Sequence, residues 1–165
     1  KQDKYKVGVK VRLGLNEFEV KQRKIFTLFK ELEKIAQENS NFTNVTVHFK
    51  HAQESSSKVY NYSLLNELAS YKVPLIINGG IRNYEDMKKL IESISPENRK
   101  NIKGVMLGRE AMKNPNCFLE IKKDIENIQF IPKGLKEIKE EFIKFCKEHP
   151  PKPIYLTTIK ERTNL

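Results

Sequence analysis

The 165-residue sequence is poor in cysteine, in long apolar runs and in acidic residues relative to basic ones. Each shortage excludes something. The two cysteines, Cys117 and Cys146, have no metal-ligand spacing and cannot make a disulfide framework. A reducing setting, cytoplasmic or else organellar, is expected, and no metal site. No apolar run approaches the roughly 20 residues that a membrane helix needs. The N-terminal residues carry no signal-peptide pattern, and a chain beginning with Lys1 rather than Met reads as a processed or trimmed segment. There is no internal repeat and no low-complexity tract. Acidic residues number 21 against 31 lysines and arginines, a net charge of +10. That balance favours an anionic partner, with RNA or DNA foremost. The lysines are dispersed, so a solvated basic surface would give the same count.

What is present is a series. Four strand-like segments each end in a polar or glycine signature: Val7 to Gly14, Val45 to His48, Pro74 to Gly80, and Gly104 to Arg109. Helical stretches separate them. The alternation β-α-β-α-β-α-β-α-α implies parallel strands joined by crossover helices. In a β/α barrel, ligands bind at the C-terminal ends of the strands. The expected fold is therefore α/β, a partial (β/α)8 TIM barrel of about four βα units, since a complete barrel takes about 250 residues.

Asn16 with Glu19 three positions on resembles a capping box, and Ile25, Leu28, Phe29, Leu32, Ile35 and Ala36 follow at helical spacing. This predicts one long amphipathic helix ending near Gln37. Asn39 to Asn44 reads as a polar turn, and Lys50 to Lys58 as a serine-rich loop. Asn83 is placed to cap a helix that Pro96 stops. A linker from Pro132 to Gly134 precedes a final amphipathic helix carrying Leu135, Ile138, Phe142, Phe145 and Cys146, and the last dozen residues read as an extended tail. The expected division is thus 1–131 for the partial barrel and 132–165 for linker, helix and tail.

Strand periodicity places Lys10 with Arg12, Thr46 with His48, Ile76 with Asn78 and Met106 with Gly108 on common faces. If these faces all point to the barrel axis, Lys10, Arg12, His48, Asn78 and Gly108 converge near one mouth and make a bed for a polar aromatic ring and its phosphate. Asn78-Gly79-Gly80 and Gly108-Arg109 each lead into a helix. Glycine admits close approach of a ligand, free amides bind anions, and Arg109 can add a bidentate contact. One such turn would be ordinary strand-to-helix punctuation; two in succession, one with an arginine, favour binding. Lys10 and Arg12 side by side on an inward face need anionic or polar partners. His51, in a polar loop, and His149, before prolines, read as structural. Cys117 and Cys146 read as small core residues.

These residues resemble the flavin-dependent tRNA-dihydrouridine synthases. The matching stretches are Val9 to Gly14, Val45 to His48, Ile77 to Ile81, Gly104 to Ala111 and Asn114-Pro115, in that order and over roughly residues 7 to 120. The resemblance implies a barrel holding FMN at its mouth. Lys10 and His48 would contact the flavin, and Asn78, Gly79 and Gly80 would lie by the ribityl chain and phosphate. Gly108 and Arg109 would grip the phosphate, and Arg12 would face the target uracil. It further implies tRNA as the partner, NADPH as the reductant of FMN, and a cysteine as the proton donor. Neither cysteine here lies in a matching motif, so no catalytic residue is assigned and that acid is expected outside this chain. The family's His-x-Arg is His48-Phe49-Lys50 here, which keeps the charge but not the planar fork. The family's first half-barrel has no counterpart, and four parallel strands leave open edges. A missing N-terminal half-barrel, or self-association through those edges, is the expected remedy, and this chain alone is expected to be inactive. Two other readings remain: another FMN-dependent barrel oxidoreductase acting on a small molecule, or a non-catalytic RNA-binding module derived from such a barrel.

Overall fold

The computed structural model describes residues 5–129, 131–153, 155 and 157. Four strands, β1 (Val7–Arg12), β2 (Phe42–His48), β3 (Leu75–Asn78) and β4 (Ile102–Met106), form one parallel sheet in the order β1-β2-β3-β4. The α/β class and the parallel sheet agree with the sequence pattern and are consistent with part of a TIM barrel. Between β1 and β2 lie α1 (Glu17–Lys21) and α2 (Ile25–Glu38). The short α3 (Leu65–Leu68) precedes β3, and α4 (Tyr84–Glu92) and α5 (Pro96–Arg99) follow it. After β4 come α6 (Arg109–Lys113), α7 (Cys117–Glu126) and α8 (Leu135–Glu148). No helix among the described residues is long and apolar enough to cross a membrane.

The chain divides into two compact units, one of Lys1–Ile81 with Asp86–Met106, the other of Arg82–Glu85 with Leu107–Leu165. The first has the larger core. Alternation along each strand sends Val45, Val47, Leu75 and Ile77 to one face, all fully buried, and α2 packs against β2 with Phe29 and Leu32 buried. The Phe29 ring meets the edge of Tyr71 at 5.6 Å. In the second unit Cys117 and Ile121 are the buried apolar residues of α7. Asn116 is buried there too, and its Nδ2 donates to the Lys133 carbonyl at 2.8 Å.

Local structure departs from the sequence pattern at several points. The long helix is two. Asn16 does cap α1 by accepting from the Glu19 amide at 3.0 Å, while Glu19 reaches back to the Leu15 amide at 2.9 Å. The helix then breaks at Arg23, which stands at φ 56°, in the left-handed region. Its guanidinium pairs with Glu67 and lies 4.4 Å over the Phe26 ring, so tertiary contacts hold a conformation that arginine rarely takes alone. Phe42 to Asn44 belong to β2 rather than to a turn, because Val7 and Gly8 offer them a pairing edge. Pro96 opens α5 at its first position, where a missing amide hydrogen costs nothing. Of the expected extended tail only Tyr155 and Thr157 are described, both helical, and the rest lies outside the described residues.

Candidate functional site

The parallel register lines up Arg12, His48, Asn78 and Met106 as one row across all four strands, each the last residue of its strand. The row behind it is Lys10, Thr46, Ile76 and Gly104. The expected pairs Lys10 with Arg12, Thr46 with His48 and Ile76 with Asn78 are therefore matched across strands as well as along them, whereas β4 ends at Met106 and leaves Gly108 beyond the sheet. Lys10 and Arg12 are exposed, His48 is half-buried, and Thr46 and Asn78 are buried.

Asn78 organises the row. Its Nδ2 donates to the Met106 carbonyl at 2.8 Å, and that acceptor fixes which way the amide points. Its Oδ1 therefore faces His48 Nδ1, also at 2.8 Å, so Nδ1 carries the hydrogen. The neutral imidazole then presents Nε2 as an acceptor. Burial pushes the His48 pKa below its ordinary value of 6.5; the Asn78 hydrogen bond opposes this, and the charges of Arg12, Lys10 and Lys50 reinforce it. His48 is thus neutral at pH 7. Since the fold holds His48 neutral more readily than the unfolded chain does, stability is complete above 6.5. It falls as pH drops below that value toward the lower folded midpoint. NMR titration should find the His48 midpoint below the usual imidazole range. Asn78→Asp should raise it, by setting a carboxylate against Nδ1–H. An unmoved midpoint in that variant would dissolve the link.

Two tyrosines that sequence reasoning missed line the same end of the sheet. Tyr60 meets His48 edge-on at 5.5 Å and stacks on Tyr62 at 6.1 Å. Tyr62 packs on Phe49 at 5.1 Å, and its hydroxyl donates to the Gly79 carbonyl. That hydroxyl stays protonated, its pKa pushed up to about 12 by burial first and then by Tyr60 and Asp86. Gly79 and Gly80 have φ 113° and 68°. A Cβ on Gly79 would strike the Tyr60 ring, and one on Gly80 would come within 2.8 Å of both Tyr60 and the Tyr62 hydroxyl. The close approach that glycine permits here is filled by the protein's own rings. The available signal was an aromatic pair at alternate positions just after a polar loop.

The loop after β2 is more ordered than its composition suggested. Arg12 donates through one nitrogen, Nη1, to the carbonyls of His51 at 3.1 Å and Ala52 at 3.3 Å. Ala52 and Gln53 amides return bonds to the Gly14 and Leu15 carbonyls at 2.9 and 3.2 Å. Lys50 is only 2% exposed. His51 is half-buried rather than solvated, with Nε2 3.8 Å from a Glu54 oxygen.

In the second unit Gly108 is the N-cap residue of α6, and Arg109 is that helix's first residue. A Cβ on Gly108 would meet nothing within 4 Å. Cys117 is buried, and its thiol is pushed up by that burial and by Glu110 and Glu120, the opposite of an activated acid or nucleophile. No group of three or more His, Cys, Asp or Glu among the described residues could hold a metal.

As a fit for a flavin, the first unit offers an acceptor nitrogen fixed by a buried amide, two exposed cations and an aromatic wall. These suit a ring with N–H donors and an anionic tail.

A sequence model of the family described as dihydrouridine synthase matches residues 1–160. A probable tRNA-dihydrouridine synthase of Aquifex aeolicus (strain VF5) is 28% identical over 134 residues, covering 79% of this chain and 35% of that relative. The chain thus spans about a third of the length of the curated relative it matches.

Proposed function

Because the chain belongs to the dihydrouridine synthase family, we propose that it carries the later four βα units of a tRNA-dihydrouridine synthase barrel. Its activity would be reduction of uridine in tRNA to 5,6-dihydrouridine, with FMN as cofactor and NADPH as reductant. The observation that carries this reading is the row of Arg12, His48, Asn78 and Met106, in which Asn78 fixes the imidazole. When bound, FMN supplies hydride transfer to the uracil ring.

The chain's own residues bind and orient. His48 Nε2 accepts a hydrogen bond from the cofactor, Lys10 offers its ammonium to the flavin ring, and Arg12 keeps donors for the base. In the second unit Gly108 and Arg109 carry the family's phosphate-binding signature. The target base must leave its stack to be reached. The net charge of +10 suits tRNA. No residue of this chain is assigned as the proton donor. Four parallel strands do not close a barrel. The working site takes further strands, from an N-terminal half-barrel or a second copy.

The test is flavin and tRNA binding, each over a salt series. In the full-length protein, Lys10→Ala and Arg109→Ala should each weaken FMN retention, on the order of tenfold for a lost charge-assisted contact. Unchanged flavin affinity in both would sink the assignment. Flavin binding without salt-sensitive tRNA affinity would favour an oxidoreductase of small molecules. tRNA binding without flavin would favour an RNA-binding module.

A further inference from the structure

Lys50 is the one lysine among the described residues that is buried, and none of the partners its ammonium shows is an acid. Nζ donates to the carbonyls of Ser55 at 2.9 Å and Ser56 at 3.0 Å, and it lies 4.5 Å over the Tyr60 ring. Two carbonyls and a π face match the three hydrogens of an ammonium. Burying a cation among neutral groups is expensive and persists only where all its donors are met.

The location explains what that arrangement holds. Lys50 lies two residues past His48, at a tight turn where its amide donates to the His48 carbonyl at 2.7 Å. Its own carbonyl accepts from the Leu13 amide at 3.1 Å, and the Asn61 amide bonds the Phe49 carbonyl at 2.9 Å. The serine-rich segment is thus folded back around the ammonium and fastened at both ends. One side of this collar presents the His51 and Ala52 carbonyls that hold Arg12. The other presents the Tyr60 ring that abuts His48.

We propose that Lys50 is a positioning residue: its buried ammonium gathers the segment from His51 to Tyr60 into a collar that orients both Arg12 and His48 toward the ligand. It does not itself reach the ligand. This deepens the proposed function, since it rests on Arg12 and His48 as the ligand-facing groups. The collar also accounts for serine in this stretch, where small side chains let two successive carbonyls turn inward to one nitrogen.

NMR on the whole chain, without flavin or tRNA, tests it. In the unaltered protein the Lys50 ammonium protons should exchange slowly enough to be seen and should show contacts to Tyr60. Exchange as fast as that of the exposed Lys103 would overturn the proposal, and this measurement needs no variant to fold. In Lys50→Met, which keeps most of the side chain without its charge, Arg12 Nη–H exchange should accelerate on the order of tenfold. The His48 midpoint should rise, both from loss of a neighbouring cation and from a loosened Tyr60 wall. A methionine variant with Arg12 exchange and His48 titration unchanged would also overturn it. These readouts are independent of flavin, so a failure of the synthase reading appears in the binding assays instead.

Discussion

Gly79→Ala should destabilise the protein by about 2–6 kcal/mol, the sum of backbone strain and overpacking. The strain arises because Gly79 stands at φ 113°, where an L-residue is not accommodated. The overpacking arises because the new methyl would enter the Tyr60 ring. That ring cannot simply swing aside, since His48, Tyr62 and the Lys50 ammonium surround it. Urea unfolding of Gly79→Ala, Tyr60→Ala and the double variant separates the two causes. In the Tyr60→Ala background the glycine substitution should retain only the strain, about 1–3 kcal/mol. Equal costs in both backgrounds would remove Tyr60 from the explanation.

Phe49→Ala should cost about 3–5 kcal/mol, the range for emptying a packed aromatic site. Phe49 is fully buried, and its backbone ties two elements together, accepting from the Asn61 amide and donating to the Asn78 carbonyl at 3.2 Å. Phe18, by comparison, is 64% exposed, and Phe18→Ala should fall within about 0.5 kcal/mol of the unaltered protein. A Phe49 variant that behaved like the Phe18 one would mean that the space under the Tyr60–Tyr62 pair is not close-packed.

Much of the frame was legible because it rests on short-range regularities. Short apolar segments marked all four strands, and strand periodicity put Lys10 with Arg12, Thr46 with His48 and Ile76 with Asn78 on common faces before any pairing was known. Asn16 and Glu19 marked a helix start, since both partners lie within one turn. What was hidden depends on partners far along the chain. The break at Arg23 has no glycine or proline to announce it and is held by Glu67, distant in sequence. Lys50 read as a substitute for an arginine that keeps the charge without the planar fork, and only the folded loop shows that charge turned inward. Gly79 and Gly80 read as sites of close approach to a ligand; the folded chain adds that the rings of Tyr60 and Tyr62 also crowd their α-carbons. A sequence gives the need for space without naming what fills it.

The strand order has a consequence for assembly during synthesis. Neighbours in the sheet are neighbours in the chain, and the pairings Lys10↔Thr46, Thr46↔Ile76 and Ile76↔Gly104 span similar stretches of sequence. Closure entropy rises only logarithmically with span, so no pairing carries a much larger penalty than another. The sheet can then be laid down strand by strand as the chain leaves the ribosome, β2 docking on β1 before β4 has been translated. A lesion in β4 would leave a nascent β1–β2–β3 sheet able to form, whereas one in β2 would separate β1 from everything that follows.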